Sequence, residues 1–161
     1  MLQSRLEMSK LARQDNTVKI RVLIVEKHAA VRRALRKRLN AAPHLEVIAA
    51  VQEPGAALSL LNPVDTVPGE ACDEACVADI VLLGLQNGSD EELFHTLDIV
   101  QQMARCSTAI IVLAPYADEV ERLLLCKAGA DSYLLKYIDT PRLIEEIEAV
   151  AQGGRDPVAD T

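Results

Sequence analysis

The chain has 161 residues, half of them hydrophobic and a quarter charged, which suits one domain with its own hydrophobic core. Its formal net charge of −7 argues against direct binding of nucleic acid, because phosphate contacts need clustered lysine and arginine. No apolar run approaches the ~20 residues that cross a bilayer, and residues 1–16 lack the apolar stretch of a signal peptide. A cytoplasmic location without membrane contact is therefore expected.

Strand-like and helix-like segments alternate along the chain. In chain order they are strand Lys19–Val25, helix His28–Asn40, strand Leu45–Ala50, helix Glu53–Leu61, strand Asp79–Leu83, helix Asp90–Ala104, strand Ala109–Leu113, helix Asp118–Ala128, strand Ser132–Leu135 and a helix that runs to Gly153. Thr140 is the predicted cap of the last helix, with Pro141 at its first position. Five strands alternating with five helices predict an α/β fold with a doubly wound, five-stranded parallel sheet.

The predicted domain covers residues 19–153. Residues 1–18 form an arm that is either disordered or a short helix, and residues 154–161 form a tail. An enlarged loop at 62–78, with two prolines and a glycine, separates the second helix from the third strand.

Two features of the pattern leave alternatives open. The first helix carries a basic cluster, Arg32–Arg38, beside an apolar stripe of Val31, Ala34, Leu35 and Leu39; the cluster is either a solvated face or a surface for an acidic protein. Cys72 and Cys76 in the enlarged loop lack metal-site spacing and have acidic neighbours, which disfavour a reactive thiolate. A disulfide-forming thiol sensor remains one reading of that pair. Cys106 and Cys126 are expected in the core.

Three segments at the predicted strand ends carry a family resemblance: Ile20–His28 (IRVLIVEKH), Ala78–Leu85 (ADIVLLGL) and Ala128–Lys136 (AGADSYLLK). They resemble the receiver domains of bacterial response regulators, in particular those of the NarL/LuxR class. The resemblance implies the flavodoxin-like fold and a phosphoryl site at the carboxyl edge of the sheet. In such domains an aspartate after the third strand accepts a phosphoryl group from a histidine kinase. Two acidic residues hold Mg²⁺ beside it, and a Ser or Thr and a Lys contact the phosphoryl group.

Most positions of that pocket are changed here. The two acidic positions are Glu26 and Lys27, the acceptor position is Gly84, the hydroxyl position is Ala114, and Lys136 alone stands as the family has it. With one acid and two lysines the pocket is net positive by about one unit and would repel a divalent cation. We therefore predict a degenerate phosphorylation pocket with no metal and no cofactor, in which Glu26 pairs with Lys136 or Lys27.

The surface of the fourth helix offers a candidate interface. Three consecutive leucines there span ~200° at ~100° per residue, so one of them should reach solvent or a partner. The candidate interface residues are Leu123, Leu124, Leu125, Tyr116 and Tyr137. Tyr133 matches the aromatic residue that reorients when receivers are activated. A homodimer through the fourth helix and fifth strand, or through the first and last helices, is expected.

The sequence thus predicts an atypical receiver that is not an enzyme and that acts by phosphorylation-independent interaction or dimerisation. Its partners would be signalling proteins, such as a histidine kinase or another regulator, or a second copy, and not nucleic acid. The alternatives are a conventional phosphorelay receiver with a non-standard acceptor, or the thiol sensor. The class usually carries a DNA-binding domain after the receiver, and Gly153–Pro157 lies about where such a linker would begin. A complete chain would lack DNA binding, whereas a fragment would be the sensing half of a regulator.

Overall fold

The structure is a computed structural model, and it describes residues 19–61, 78–86 and 88–153. Strands and helices alternate through these residues as the sequence predicts, with ends that move by one or two positions. The elements are β1 (Ile20–Val25), α1 (Ala29–Asn40), β2 (Leu45–Val51), α2 (Pro54–Leu61), β3 (Ile80–Gly84), α3 (Asp90–Ala104), β4 (Ala109–Ala114), α4 (Glu119–Ala128), β5 (Ser132–Leu135) and α5 (Thr140–Ala151).

The five strands form one parallel sheet in the order β2-β1-β3-β4-β5. The chain runs from β1 outward to β2 and then returns across β1 to β3, so strand order reverses between β1 and β3. In doubly wound sheets the crevice beyond the carboxyl ends of the strands at this reversal is where ligands bind. The doubly wound parallel fold is confirmed.

Helices cover both faces of the sheet. Because side chains alternate along a strand, Leu23 and Val25 of β1 join one core cluster, with α2, α3 and α4. Val22 and Ile24 join the other, with α1 and α5. The central strands are therefore apolar on both sides, as the short apolar runs in the sequence indicate.

The predicted cap of α5 is wrong by one residue. The residue before the helix is Asp139, whose carboxylate accepts a hydrogen bond from the Arg142 backbone N–H at 3.0 Å. Thr140 is instead the first helical residue. The carboxylate lies at the non-helical position from which it can reach the unpaired N–H groups of the first turn. The helix also ends at Ala151 rather than Gly153, since Gly153 has a φ of +96°.

The apolar stripe of α1 is narrower than predicted. Leu35 and Leu39 are buried, but Val31 is 38% exposed.

Cys126 is buried and Cys106 half-buried, so only the first lies fully in the core. Several predicted segments lie outside the described residues: the arm at 1–18, the enlarged loop except Ala78, the pair Cys72 and Cys76 within that loop, and the tail at 154–161. The hypotheses about them stay predictions.

Candidate functional site

Four of the predicted pocket residues lie together at the carboxyl edge of the sheet. Glu26 directly follows β1, Gly84 ends β3, Ala114 ends β4 and Lys136 directly follows β5. The Lys136 backbone N–H donates to the Ala114 carbonyl oxygen at 2.7 Å, which fixes where the lysine side chain starts. Its Nζ then reaches back across the sheet to Oε1 of Glu26 at 2.9 Å.

The Glu26 carboxylate is the centre of this arrangement. Its side chain is 1% exposed and that of Lys136 is 18% exposed. The second carboxylate oxygen accepts the His28 backbone N–H at 2.8 Å and the Gln86 side-chain amide at 3.3 Å. The ion pair predicted from the charges is therefore present, and its cation is Lys136 rather than Lys27, whose side chain is exposed. Sequence reasoning missed the contributions of His28 and Gln86.

These contacts keep Glu26 ionised although it is buried. Burial by itself raises the pKa of the Glu26 carboxyl group. The His28 backbone N–H, the Lys136 ammonium and the Gln86 amide together outweigh burial, so the pKa lies below its ordinary value. The pocket thus holds a charged carboxylate whose hydrogen-bonding needs are met from within the protein.

The space above Gly84 is occupied by Glu26. A Cβ atom built on Gly84 would lie 2.5 Å from Oε1 of Glu26 and 3.1 Å from the Val25 carbonyl oxygen. The φ of Gly84 is not positive, so its backbone does not require glycine. What the position lacks is room, since any side chain at residue 84 would have to displace the carboxylate.

Neither nearby aspartate is among the contacts of the Glu26 carboxylate, whose partners are Lys136, His28 and Gln86. Asp79 lies at the opposite, amino-terminal end of β3, where it accepts the Arg21 backbone N–H at 2.9 Å and pairs with its guanidinium at 3.3 Å. Asp90 is exposed in the first turn of α3. Within residues 19–61, 78–86 and 88–153, no group of three or more His, Cys, Asp or Glu side chains could hold a metal ion.

Tyr133 points into the protein beneath α4. Tyr133 is 9% exposed, and its hydroxyl donates to Oε1 of Glu121 at 2.7 Å, with the Tyr116 carbonyl oxygen at 3.3 Å. Burial, with the Glu121 hydrogen bond and charge, raises the Tyr133 pKa. The glutamate that holds the ring comes from α4 and the ring from β5, so no local pattern in the sequence pairs them.

The candidate interface changes in one member. Leu125 is fully buried, so it belongs to the core and not to a surface. Leu123 and Leu124 are both 37% exposed, Tyr116 is 57% exposed and Tyr137 75%. With Leu125 facing the sheet, successive turns of ~100° carry both preceding leucines outward. Two leucines therefore reach solvent, where the sequence predicts one.

A groove of about 520 Å³ runs along β5 between the first turns of α4 and α5. The residues that line it are Ala117, Asp118, Glu119, Arg122, Tyr133, Leu134, Leu135, Tyr137, Ile138, Asp139 and Arg142. We call it the β5 groove. Tyr137 lines it, whereas Leu123, Leu124 and Tyr116 do not, so the candidate interface residues fall on two surfaces.

None of the described helices has the length and apolar character needed to traverse a bilayer.

No family model matches the chain. It is similar to the transcriptional regulatory protein DegU of Brevibacillus brevis, with 28% identity over 141 residues, 88% of this chain and 54% of that protein. It is also similar to the nitrate/nitrite response regulator NarP of Escherichia coli, with 31% identity over 134 residues, 83% of this chain and 56% of that protein. The chain thus spans about half the length of these curated relatives.

Solved structures share the fold. The receiver domain of a NarL response regulator from Mycobacterium tuberculosis superposes with a TM-score of 0.66 at 18% identity, covering 84% of this chain and 98% of that one. A LuxR-family regulator from Aurantimonas gives a TM-score of 0.66 at 22% identity, covering 85% of this chain and 88% of that one. The fold is therefore that of CheY-like receiver domains. The sequence similarity to these relatives supports a response-regulator receiver domain of the NarL/LuxR class.

Proposed function

We propose that this chain is a pseudo-receiver that acts in two-component-type signalling by phosphorylation-independent protein–protein interaction, with no catalysis of its own. The observation that supports this most is the position of the Glu26 carboxylate. It is buried, it is bound to Lys136, and it lies within 2.5 Å of where a side chain at residue 84 would begin.

The chemistry of phosphoryl transfer supports the same proposal. Transfer needs an oxygen nucleophile in line with the donor, a metal ion and cationic or hydroxyl groups on the developing charge. Gly84 supplies no nucleophile and Ala114 supplies no hydroxyl group. The ammonium group of Lys136 is already paired with the Glu26 carboxylate. The ion pair joins the loops after β1 and β5, so it holds the carboxyl edge of the sheet in one arrangement without a phosphoryl group.

The proposed partner is a protein that contacts the side of the domain formed by α4 and β5. A histidine kinase, another regulator or a second copy of the chain would each meet Tyr137 and the β5 groove there. Exposed tyrosines are enriched in protein interfaces because they offer a large apolar ring and a polar tip. The net charge of −7 favours a protein over nucleic acid as the partner.

Phosphotransfer is tested by incubating the full chain with acetyl phosphate and Mg²⁺ and measuring the intact mass. We expect no gain, while an ordinary receiver treated in parallel gains one phosphoryl group. The matched variant carries Glu26→Asp, Lys27→Asp, Gly84→Asp and Ala114→Thr, which restores the family pattern. It should gain one phosphoryl group that hydroxylamine removes. A phosphoryl group on the unchanged chain would overturn the proposal whether or not the variant folds.

The interaction half is tested by placing a photoreactive amino acid at Tyr137 in the native cell. Irradiation is expected to join the chain covalently to a protein, which mass spectrometry then identifies as a signalling protein or as the chain itself. The same amino acid at Glu53, an exposed position just before α2, is the control and should give no such adduct. Equal labelling at both positions, or none at Tyr137, would exclude the β5 groove as the contact.

A further inference from the structure

The outer face of α3 combines one large apolar side chain with acidic neighbours. Phe94 is the only phenylalanine of the chain, and it is 66% exposed. Asp90, Glu91 and Asp98 lie one turn before or after it on the same helix, and all three are exposed. The helix sequence, DEELFHTLDIVQQMA, contains no lysine and no arginine. An isolated aromatic ring in an acidic setting is suited to a partner that is both apolar and basic.

Helix α4, the neighbour of α3, also carries exposed apolar side chains. The carboxyl ends of α3 and α4 meet closely, since a Cβ on Gly129 would lie 2.6 Å from Cβ of Ala104. Both helices start at the carboxyl edge of the sheet and run in the same direction toward that meeting point. Measured along each helix at ~1.5 Å per residue, Phe94 lies ~15 Å before Ala104 and Val120 lies ~14 Å before Gly129. They are therefore at nearly the same height. We call the following exposed residues the α3–α4 patch: Phe94, Val120, Leu123 and Leu124.

Helix α1 carries the opposite charge on the opposite layer. Its sequence, AAVRRALRKRLN, has five basic residues and no acid. Arg33, Arg36 and Lys37 are exposed, and Val31 beside them is 38% exposed. Helix α1 packs on the sheet face shared with α5, whereas α3 and α4 pack on the other. One molecule therefore shows a basic α1 on one side of the sheet. On the other side it shows acidic residues around Phe94 on α3, and exposed apolar residues on α4.

The α3–α4 patch is poorly suited to pack against itself, because the acidic side chains of two copies would face each other, which costs several kcal/mol at an interface. At physiological salt the Debye length is about 8 Å, so the local charges of each face matter more than the net charge of −7. We propose that copies of this chain associate head to tail, with the basic face of α1 on the α3–α4 patch of the next copy. Because the two surfaces lie on opposite sides of the sheet, every complex of this kind still has one free α1 face and one free α3–α4 patch. Further copies can therefore add at either end.

Sedimentation velocity of the full chain at rising concentration tests this. We expect complexes larger than a dimer at low salt, and an association that weakens about tenfold or more when the Debye length falls from about 30 Å to about 3 Å. Phe94→Ser should weaken association by about tenfold or more, as expected for a central aromatic anchor. The double change Arg33→Glu with Lys37→Glu should do the same. Leu60→Ala, at a 40% exposed leucine of α2 outside both surfaces, is the control and should leave association unchanged.

Mixing the two weakened variants separates this contact from any other. The Phe94→Ser chain keeps an intact α1 face, and the doubly changed α1 chain keeps an intact α3–α4 patch. At a concentration where the unchanged chain forms complexes larger than a dimer, each variant alone should associate about tenfold or more weakly, and together they should form a one-to-one complex that grows no further. A monomeric unchanged chain at low salt, association that ignores these changes, or a mixture that stays monomeric would each overturn the proposal. These outcomes do not depend on whether residue 84 or any other position accepts a phosphoryl group.

Discussion

Replacing Lys136 by methionine removes the cation of the buried pair while keeping most of its side-chain volume. Glu26, which is 1% exposed in the unchanged chain, would then keep only the His28 N–H and the Gln86 amide as partners. A buried carboxylate that loses its charge partner keeps the cost of leaving water without the compensating attraction. The folded protein should therefore lose stability at neutral pH.

The geometry sets the size of the effect. At an effective dielectric constant of about 20, two unit charges 2.9 Å apart attract each other by about 6 kcal/mol, before the cost of taking both charges out of water is counted. Removing one partner of a buried pair costs about 3 to 5 kcal/mol. Because Glu26 keeps two donors and Lys136 is 18% exposed, we expect the lower end, a loss of about 3 kcal/mol in the free energy of unfolding.

The loss should depend on pH. In the unchanged chain the Glu26 pKa is lower in the folded state than in the unfolded state, where it has the ordinary value of 4.5. The ionised carboxylate therefore stabilises the folded protein at pH values above 4.5, and this contribution disappears as the pH falls through the folded-state pKa. Without Lys136, burial remains and a main cause of the lowered pKa is gone, so the folded pKa rises. The variant carboxyl then takes up a proton readily in acid, and the difference in stability should shrink as the pH falls to 4.5 and below.

Urea unfolding at several pH values measures this directly. Lys27→Met is the matched control, since it removes a neighbouring exposed lysine that does not touch the carboxylate. A cycle with Glu26→Gln then isolates the coupling between residues 26 and 136, expected at about 1 to 3 kcal/mol. The reasoning fails if Lys136→Met costs no more than Lys27→Met, or if its cost is the same at pH 7 and in acid.

Three further changes test single contacts, each by urea unfolding. Gly84→Ala should destabilise by about 1 to 3 kcal/mol, because the added methyl would lie 2.5 Å from an oxygen of the buried glutamate; an unchanged midpoint would refute the crowding. Tyr133→Phe should cost about 1.5 kcal/mol through its lost hydrogen bond to a carboxylate, whereas Tyr137→Phe, at a 75% exposed ring, should cost nothing measurable. Asp139→Ala should lower the free energy of unfolding by about 1 kcal/mol, because Asp139 is the N-terminal cap of α5. A larger loss of stability for Thr140→Ala would instead identify Thr140 as the cap.

The sequence by itself determined the order and type of the elements. Strand and helix signals are local, because a strand alternates every second residue and a helix repeats every 3.6. The chemical content of the pocket was also readable, since Glu26, Gly84, Ala114 and Lys136 all follow or end a strand and the ends of parallel strands meet at one edge.

Tertiary structure decided which of these groups touch. The sequence left Glu26 a choice between two lysines, and the order β2-β1-β3-β4-β5 with the packing at its carboxyl edge brings Lys136, 110 positions away, within 2.9 Å. The rotation of α4 over the sheet buried Leu125 and exposed Leu123 and Leu124, which a run of identical residues cannot specify. Such contacts depend on how separate elements lie against each other, and local periodicity carries no information about that arrangement.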